Sequence, residues 1–219
     1  MRSCSCSQTR INNVSLYWTV IKKSNNISYI GINGNSFLVS GGSQNGVYNT
    51  TSVQNVNTSF TLTVIDVDGG LPSLLDGPTT ITNTINVLWR NKRYWGTLNL
   101  SSLGNPDLNL SLSELTNISN LINSSTILSL TGAGVSTGSE LSTNLTKTYT
   151  NMNGNGNYLI FAFPSNFGNP NFNVNGLTNN AFTKVKSNFP FTNQFGYITN
   201  YDVWISNTVQ NSPLNINIT

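Results

Sequence analysis

Seven acidic residues and no histidine bound the chemistry open to this chain of 219 residues. Without histidine, Ser-His-Asp and Cys-His mechanisms and His-bearing zinc sites are excluded. Among the carboxylates, Asp66 and Asp68 would share one strand face about 6–7 Å apart. That spacing admits two-carboxylate glycoside hydrolysis. Asp76 could join them around calcium, although the spacing matches no complete calcium loop. The same DVDGG run is also an ordinary strand ending, because Asp caps a turn and Gly takes positive φ. The turn is the favoured reading. Gly132-x-Gly134 lacks the lysine and following helix of a phosphate loop and reads as plain loop. Cys4 and Cys6 would have Cα atoms about 7 Å apart in a strand, the upper limit for a disulfide. A bridge to another copy and a shared metal are the chemical options; two reduced thiols near a chain end are the simpler one. No enzyme, cofactor or metal is expected.

Binding chemistry is better represented. Four tryptophans, Trp18, Trp89, Trp95 and Trp204, could stack on sugar rings while neighbouring amides hold hydroxyls. Trp18 and Trp89 lie in alternating runs and are expected in a core. Trp95 and Trp204, with Asn155, Asn157, Asn166 and Asn169 from nearby loops, are the candidates for glycan or partner contact. Trp204 falls opposite the face shared by Tyr201, Val203 and Ile205. It would cover a second sheet, a neighbouring subunit or a ligand. The loops 132–138, 151–157 and 166–171 are the candidate contact surfaces.

Charged residues are 8% of the chain and hydrophobic ones 37%. An average soluble protein carries about 25% charge. Asn supplies roughly one residue in six, so the wet surface must be built from Asn, Ser, Thr and Gly. The net charge of +3 is too small and scattered for a nucleic-acid groove. Lys22-Lys23, the run Arg90, Lys92, Arg93, and the pair Lys184 and Lys186 read as solvated surface charge. No run of about 18 apolar residues predicts a membrane span. The first ten residues lack the apolar core of a signal peptide. Low charge also favours pairing of sheet edges with other chains.

Alternation of apolar with polar residues predicts strands over 14–21, 27–32, 36–39, 60–67 and 81–89. Turn signals at Asn33-Gly34, Gly41-Gly42 and Asp68-Gly69-Gly70 separate them. This spacing suggests an immunoglobulin-like β-sandwich. Residues 90–95, RNKRYW, break the alternation and read as a junction. Ser111-x-x-Glu114 forms a capping box ahead of Leu115, Ile118, Leu121 and Ile122, predicting one short helix. Further strands are predicted over 146–150, 158–163, 171–174, 181–185, 199–206 and 214–218, with Asn175-Gly176 as a tight hairpin turn. The fold class expected is all-β, with two β-sandwich-like domains in tandem. The divisions are an attachment segment 1–25, carrying Cys4, Cys6, Lys22 and Lys23, an immunoglobulin-like domain 26–90, and a β-rich module 91–219 with one short helix.

The order RYWG (93–96), a Ser/Leu-rich stretch, YLIFAFPSNFGNPNFNVNG (158–176), AFTKV (181–185) and FTNQFGYITNYDVWISN (191–207) resembles a structural module of tailed bacteriophages. SFTLTVIDVDGG and TTITNTINVLW are similar to the closing strands of the immunoglobulin-like domain that often precedes it. The likeness spans roughly residues 60–219. It implies a virion structural protein assembled in the bacterial cytoplasm, a tail fibre or tail-associated component. It also implies homo-oligomers, trimers favoured, and partners among other virion proteins. A capsid head-decoration or head-fibre protein, and a module recognising host surface glycans, are the alternative readings.

Overall fold

The computed structural model describes residues 4–6, 14–21, 26–50, 57–66, 80–100, 112–130, 134–178, 181–194 and 196–219. The chain is all-β and forms two compact units, Met1–Trp89 and Arg90–Thr219. Each unit is sandwich-like.

The first unit contains β1 (Cys4–Cys6), β2 (Ser15–Val20), β3 (Ile27–Ile32), β4 (Asn35–Ser36), β5 (Gln44–Asn49), β6 (Thr58–Asp66) and β7 (Thr80–Trp89). One sheet has the order β1-β7-β6-β3-β4, and β2 pairs with β5 in a separate two-stranded sheet. Antiparallel register sets Phe60 beside Ile85 and Leu62 beside Asn83. Threonines occupy the opposite face, where Thr61 and Thr84 hydroxyls meet at 3.0 Å. Trp18, Ile30, Ile32, Phe60 and Val87 form the core between the two sheets. Within residues 1–25, Cys4–Cys6 pairs with β7 as β1 and Ser15–Val20 pairs with β5 as β2.

The second unit contains β8 (Asn91–Leu98), α1 (Leu112–Leu121), α2 (Ser124–Leu128), β9 (Gly138–Ser142), β10 (Lys147–Met152), β11 (Tyr158–Pro164), β12 (Phe172–Val174), β13 (Leu177–Thr178), β14 (Phe182–Thr192), β15 (Ile198–Ser206) and β16 (Leu214–Ile218). A five-stranded sheet runs β14-β15-β11-β8-β9 and a four-stranded sheet β10-β16-β12-β13. β11 lies at the centre of the larger sheet, and all seven of its residues are buried. That explains its continuous apolar run, since a strand covered on both faces has no wet side to mark. Ile160 and Ala162 face Ile118, Ile122, Ile127 and Leu130 of the helical layer. Leu159, Phe161 and Phe163 face Phe172, Ile216 and Ile218 of the smaller sheet. The unit is thus three layers deep, helices, sheet and sheet.

The boundary between the two units falls just before RNKRYW, whose residues 91–95 then enter β8, and its alternation fails because Arg93 is buried inside a polar network. One expectation needs correction here: the described residues hold two helices, not one. The second opens on Asn123, whose Oδ1 accepts the Thr126 backbone N–H at 3.0 Å. Thr126 Oγ1 accepts the Asn123 N–H in return at 3.3 Å. The expected first helix appears as α1, and its proposed cap Ser111 lies outside the described residues. Asn175 and Gly176 take φ of 51° and 87°, as a tight hairpin turn requires.

Candidate functional site

Register across three strands builds a single aromatic row. Phe161 of β11 stands beside Trp95 of β8 on one side and Trp204 of β15 on the other. The row lies under the smaller sheet. Trp95 is 5% exposed. Its indole N–H donates to the Val135 carbonyl at 3.2 Å, and its ring meets Tyr149 edge-on at 5.3 Å. Lys147 Nζ closes the remaining side 4.1 Å from the ring centroid. Trp95 therefore offers no open face to a sugar. Trp204 is half-buried, 5.7 Å from Phe172 and under Lys184 Nζ at 5.1 Å. Of the three roles open to it, covering a second sheet is the one seen.

The asparagine candidates fall into two groups at opposite ends of β11, about 20 Å apart for a strand of this length. Asn155 and Asn157 stand before it. Asn155 is exposed with φ 48°, followed by Gly156 at φ 82°. Asn157 Nδ2 donates to the Gly154 carbonyl at 3.0 Å, and its own carbonyl accepts from the Gln210 N–H at 2.9 Å. Asn153 N–H donates to Ser136 Oγ at 2.9 Å, so the 134–137 and 151–157 loops meet at this end. Asn166 and Asn169 stand after β11, both exposed, around the 3-10 turn Ser165–Phe167.

That second end carries a charge network that single-residue reading did not find. Asp202 is buried in the β15 ladder. It accepts from Lys184 Nζ at 2.7 Å, Ser165 Oγ at 2.7 Å and the Asn188 N–H at 2.9 Å. Burial works against the Asp202 carboxylate, but these hydrogen bonds and the Lys184 charge outweigh it and hold the carboxyl below its ordinary value. Lys184 also donates to Asn169 Oδ1 at 2.6 Å, which ties the loop after β11 to β14. A second network surrounds Arg93. Its guanidinium binds Glu140 Oε1 at 3.0 Å and the Leu145 carbonyl at 2.9 Å, and it donates to Ser142 Oγ. Lys147 joins from the other Glu140 oxygen at 2.5 Å. Burial raises the nearby Tyr149 hydroxyl well above its ordinary pKa, and it pushes Tyr94 up to about 12. Both networks fasten loops to strands, and every charged group in them has a partner.

The remaining candidates are dispersed. Cys4 and Cys6 pair in parallel register with Val87 and Trp89. Lys22, Lys23, Asp68, Asp76 and Gly132 lie outside the described residues. Asp66 ends β6 opposite Ile27. Among the described residues no cluster of three metal-ligating side chains occurs. No helix among them is long and apolar enough to cross a membrane. No protein-family model, no curated protein and no solved structure matches this chain.

Proposed function

We propose that this chain is a bacteriophage virion structural protein, a tail fibre or tail-associated component that works by rigid display. One observation carries the reading. The motifs that resemble the phage module lie in neighbouring strands: RYWG in β8, YLIFAFP of the long motif 158–176 in β11, AFTKV at the start of β14, and FTNQFGYITNYDVWISN from the end of β14 through β15, while the FNV of the long motif forms β12 in the smaller sheet packed against them. A likeness that runs through neighbouring strands describes one packed module. A strand paired on both edges and covered on both faces gives that module a stiff centre. The loops at its two ends, 151–157 and 165–171, are then held by the networks around Gln210 and Asp202. Assembly as a homo-oligomer, with trimers favoured, and an immunoglobulin-like character for the first unit belong to the same proposal. Quantitative mass spectrometry of purified virions tests it. A handful of copies per particle supports a tail component, and hundreds transfer the protein to the capsid surface as head decoration. Absence from the particle refutes the virion reading.

A further inference from the structure

Three side chains from neighbouring elements of the second unit converge on one nitrogen. Lys184 Nζ, on β14, donates to Asp202 Oδ2 of β15 at 2.7 Å and to Asn169 Oδ1 of the loop after β11 at 2.6 Å. An ammonium has only donors, so the amide must turn its oxygen toward it. The Asn169 carbonyl carbon lies one C=O bond further, at most about 3.8 Å from Nζ. A nucleophile and a carbonyl thus stand close to the near-attack range of about 3–3.5 Å, with a proton acceptor beside them. The Trp204 ring covers the ammonium at 5.1 Å, and the Asp202 side chain is 8% exposed. Asp202 is fixed through its other oxygen by Ser165 Oγ at 2.7 Å and the Asn188 N–H at 2.9 Å. Asn169 itself is exposed, which leaves its amide nitrogen a path to water.

Lys147 shows the contrast. It too lies over a tryptophan, Trp95, but its partner is the Glu140 carboxylate at 2.5 Å. An ionised carboxylate repels the lone pair of an amine. A neutral amide beside a proton carrier has an acid to assist its leaving nitrogen.

We propose that Lys184 and Asn169 join in an intramolecular isopeptide bond, with Asp202 as the proton carrier. The Lys184 ammonium passes one proton to the Asp202 carboxylate, and the freed lone pair attacks Asn169 Cγ. The Nζ–Cγ bond forms, Asp202 gives the proton to Nδ2, and the Cγ–Nδ2 bond breaks. Both protons shed by the lysine nitrogen end on the departing nitrogen, which leaves as ammonium. No oxidant or further reactant is consumed. The bond spans 15 positions of chain and encloses β12 and β13. It ties β14 of the larger sheet to the loop that leads into β12 of the smaller one. The inference stands on the second unit alone and does not need the virion reading.

The test is the mass of the full chain, measured denatured after the folded protein has been incubated near neutral pH. The chain should be lighter by one ammonia. Trypsin should no longer cut after Lys184. Chymotrypsin, which cuts at Phe172 and Phe182, should release the Asn169 and Lys184 segments as one branched peptide. Asn169→Ala changes only an exposed loop position, so it should fold and restore both the full mass and the tryptic cut. Asp202→Asn should slow bond formation by about a hundredfold or more. The inference is overturned by a wild-type chain of full mass that trypsin cuts after Lys184. It is equally overturned if the ammonia deficit and the resistance at Lys184 persist in Asn169→Ala. A bond that forms at the wild-type rate in Asp202→Asn overturns the part given to Asp202.

Discussion

The two units draw on the same weakly charged, Asn- and Thr-rich vocabulary, yet their described layers differ. In the second unit a five-stranded sheet has a four-stranded sheet on one face and two helices on the other. In the first, the described residues set a two-stranded sheet against a five-stranded one. Alternation identifies the dry face of a strand, but not which element covers it.

The comparison is most directly broken at the centre of the second unit. Phe161 is fully buried and touches Tyr149, Phe163, Phe172 and Phe182. Phe161→Ala should cost about 3–5 kcal/mol. In denaturant titration of the full chain the second unit's transition should fall while the first unit's stays in place. If both move together, the units unfold as one and the contrast between them fails. Gly154→Ala comes next. An added Cβ would stand 2.4 Å from the Asn157 carbonyl oxygen and 2.8 Å from that of Gln210. Both atoms are backbone, so the loop must open, at about 1–3 kcal/mol. Chemical shifts that stay fixed across 208–211 in this variant would show that the two loops are not joined.

Acid should separate the units more gently. The Asp202 carboxyl is held below its ordinary value in the fold. Its stabilisation is therefore complete above the unfolded carboxylate value, near 3.9, and is lost as pH falls through the folded one. The second unit's thermal midpoint should drop on acidification below about pH 4, and Asp202→Asn should flatten that drop. An equal acid response in wild type and variant would remove Asp202 from the account. The smallest effect belongs to the first unit. Thr19 is exposed on β2. Thr19→Lys should change stability by no more than about 0.5 kcal/mol. A fall of more than about 1 kcal/mol in denaturant titration would show that this position of β2 is covered.

Strands with one wet face were legible, and 27–32 and 214–218 were read to the residue. So were the Asn-Gly turns, whose positive φ few other residues adopt. β8 was hidden because Arg93, a surface residue by type, is buried against Glu140 and the Leu145 carbonyl from far along the chain. The length of β14 was hidden by Pro190, which an edge strand tolerates and a central one does not. α2 was missed although its cap is written in Asn123 and Thr126, because five residues show no period. The candidate site fared less well. Trp95 and Trp204 are brought into one row, yet what closes over them arrives from β10, β12 and β14, which no local pattern announces.

The Tyr201 hydroxyl donates to the Lys92 carbonyl at 2.6 Å across 109 residues. During synthesis β8 therefore leaves the ribosome long before β15 exists to complete its sheet. In that interval its Tyr94 and Trp95 stand without their neighbours, while β6 and β7 of the first unit already have each other.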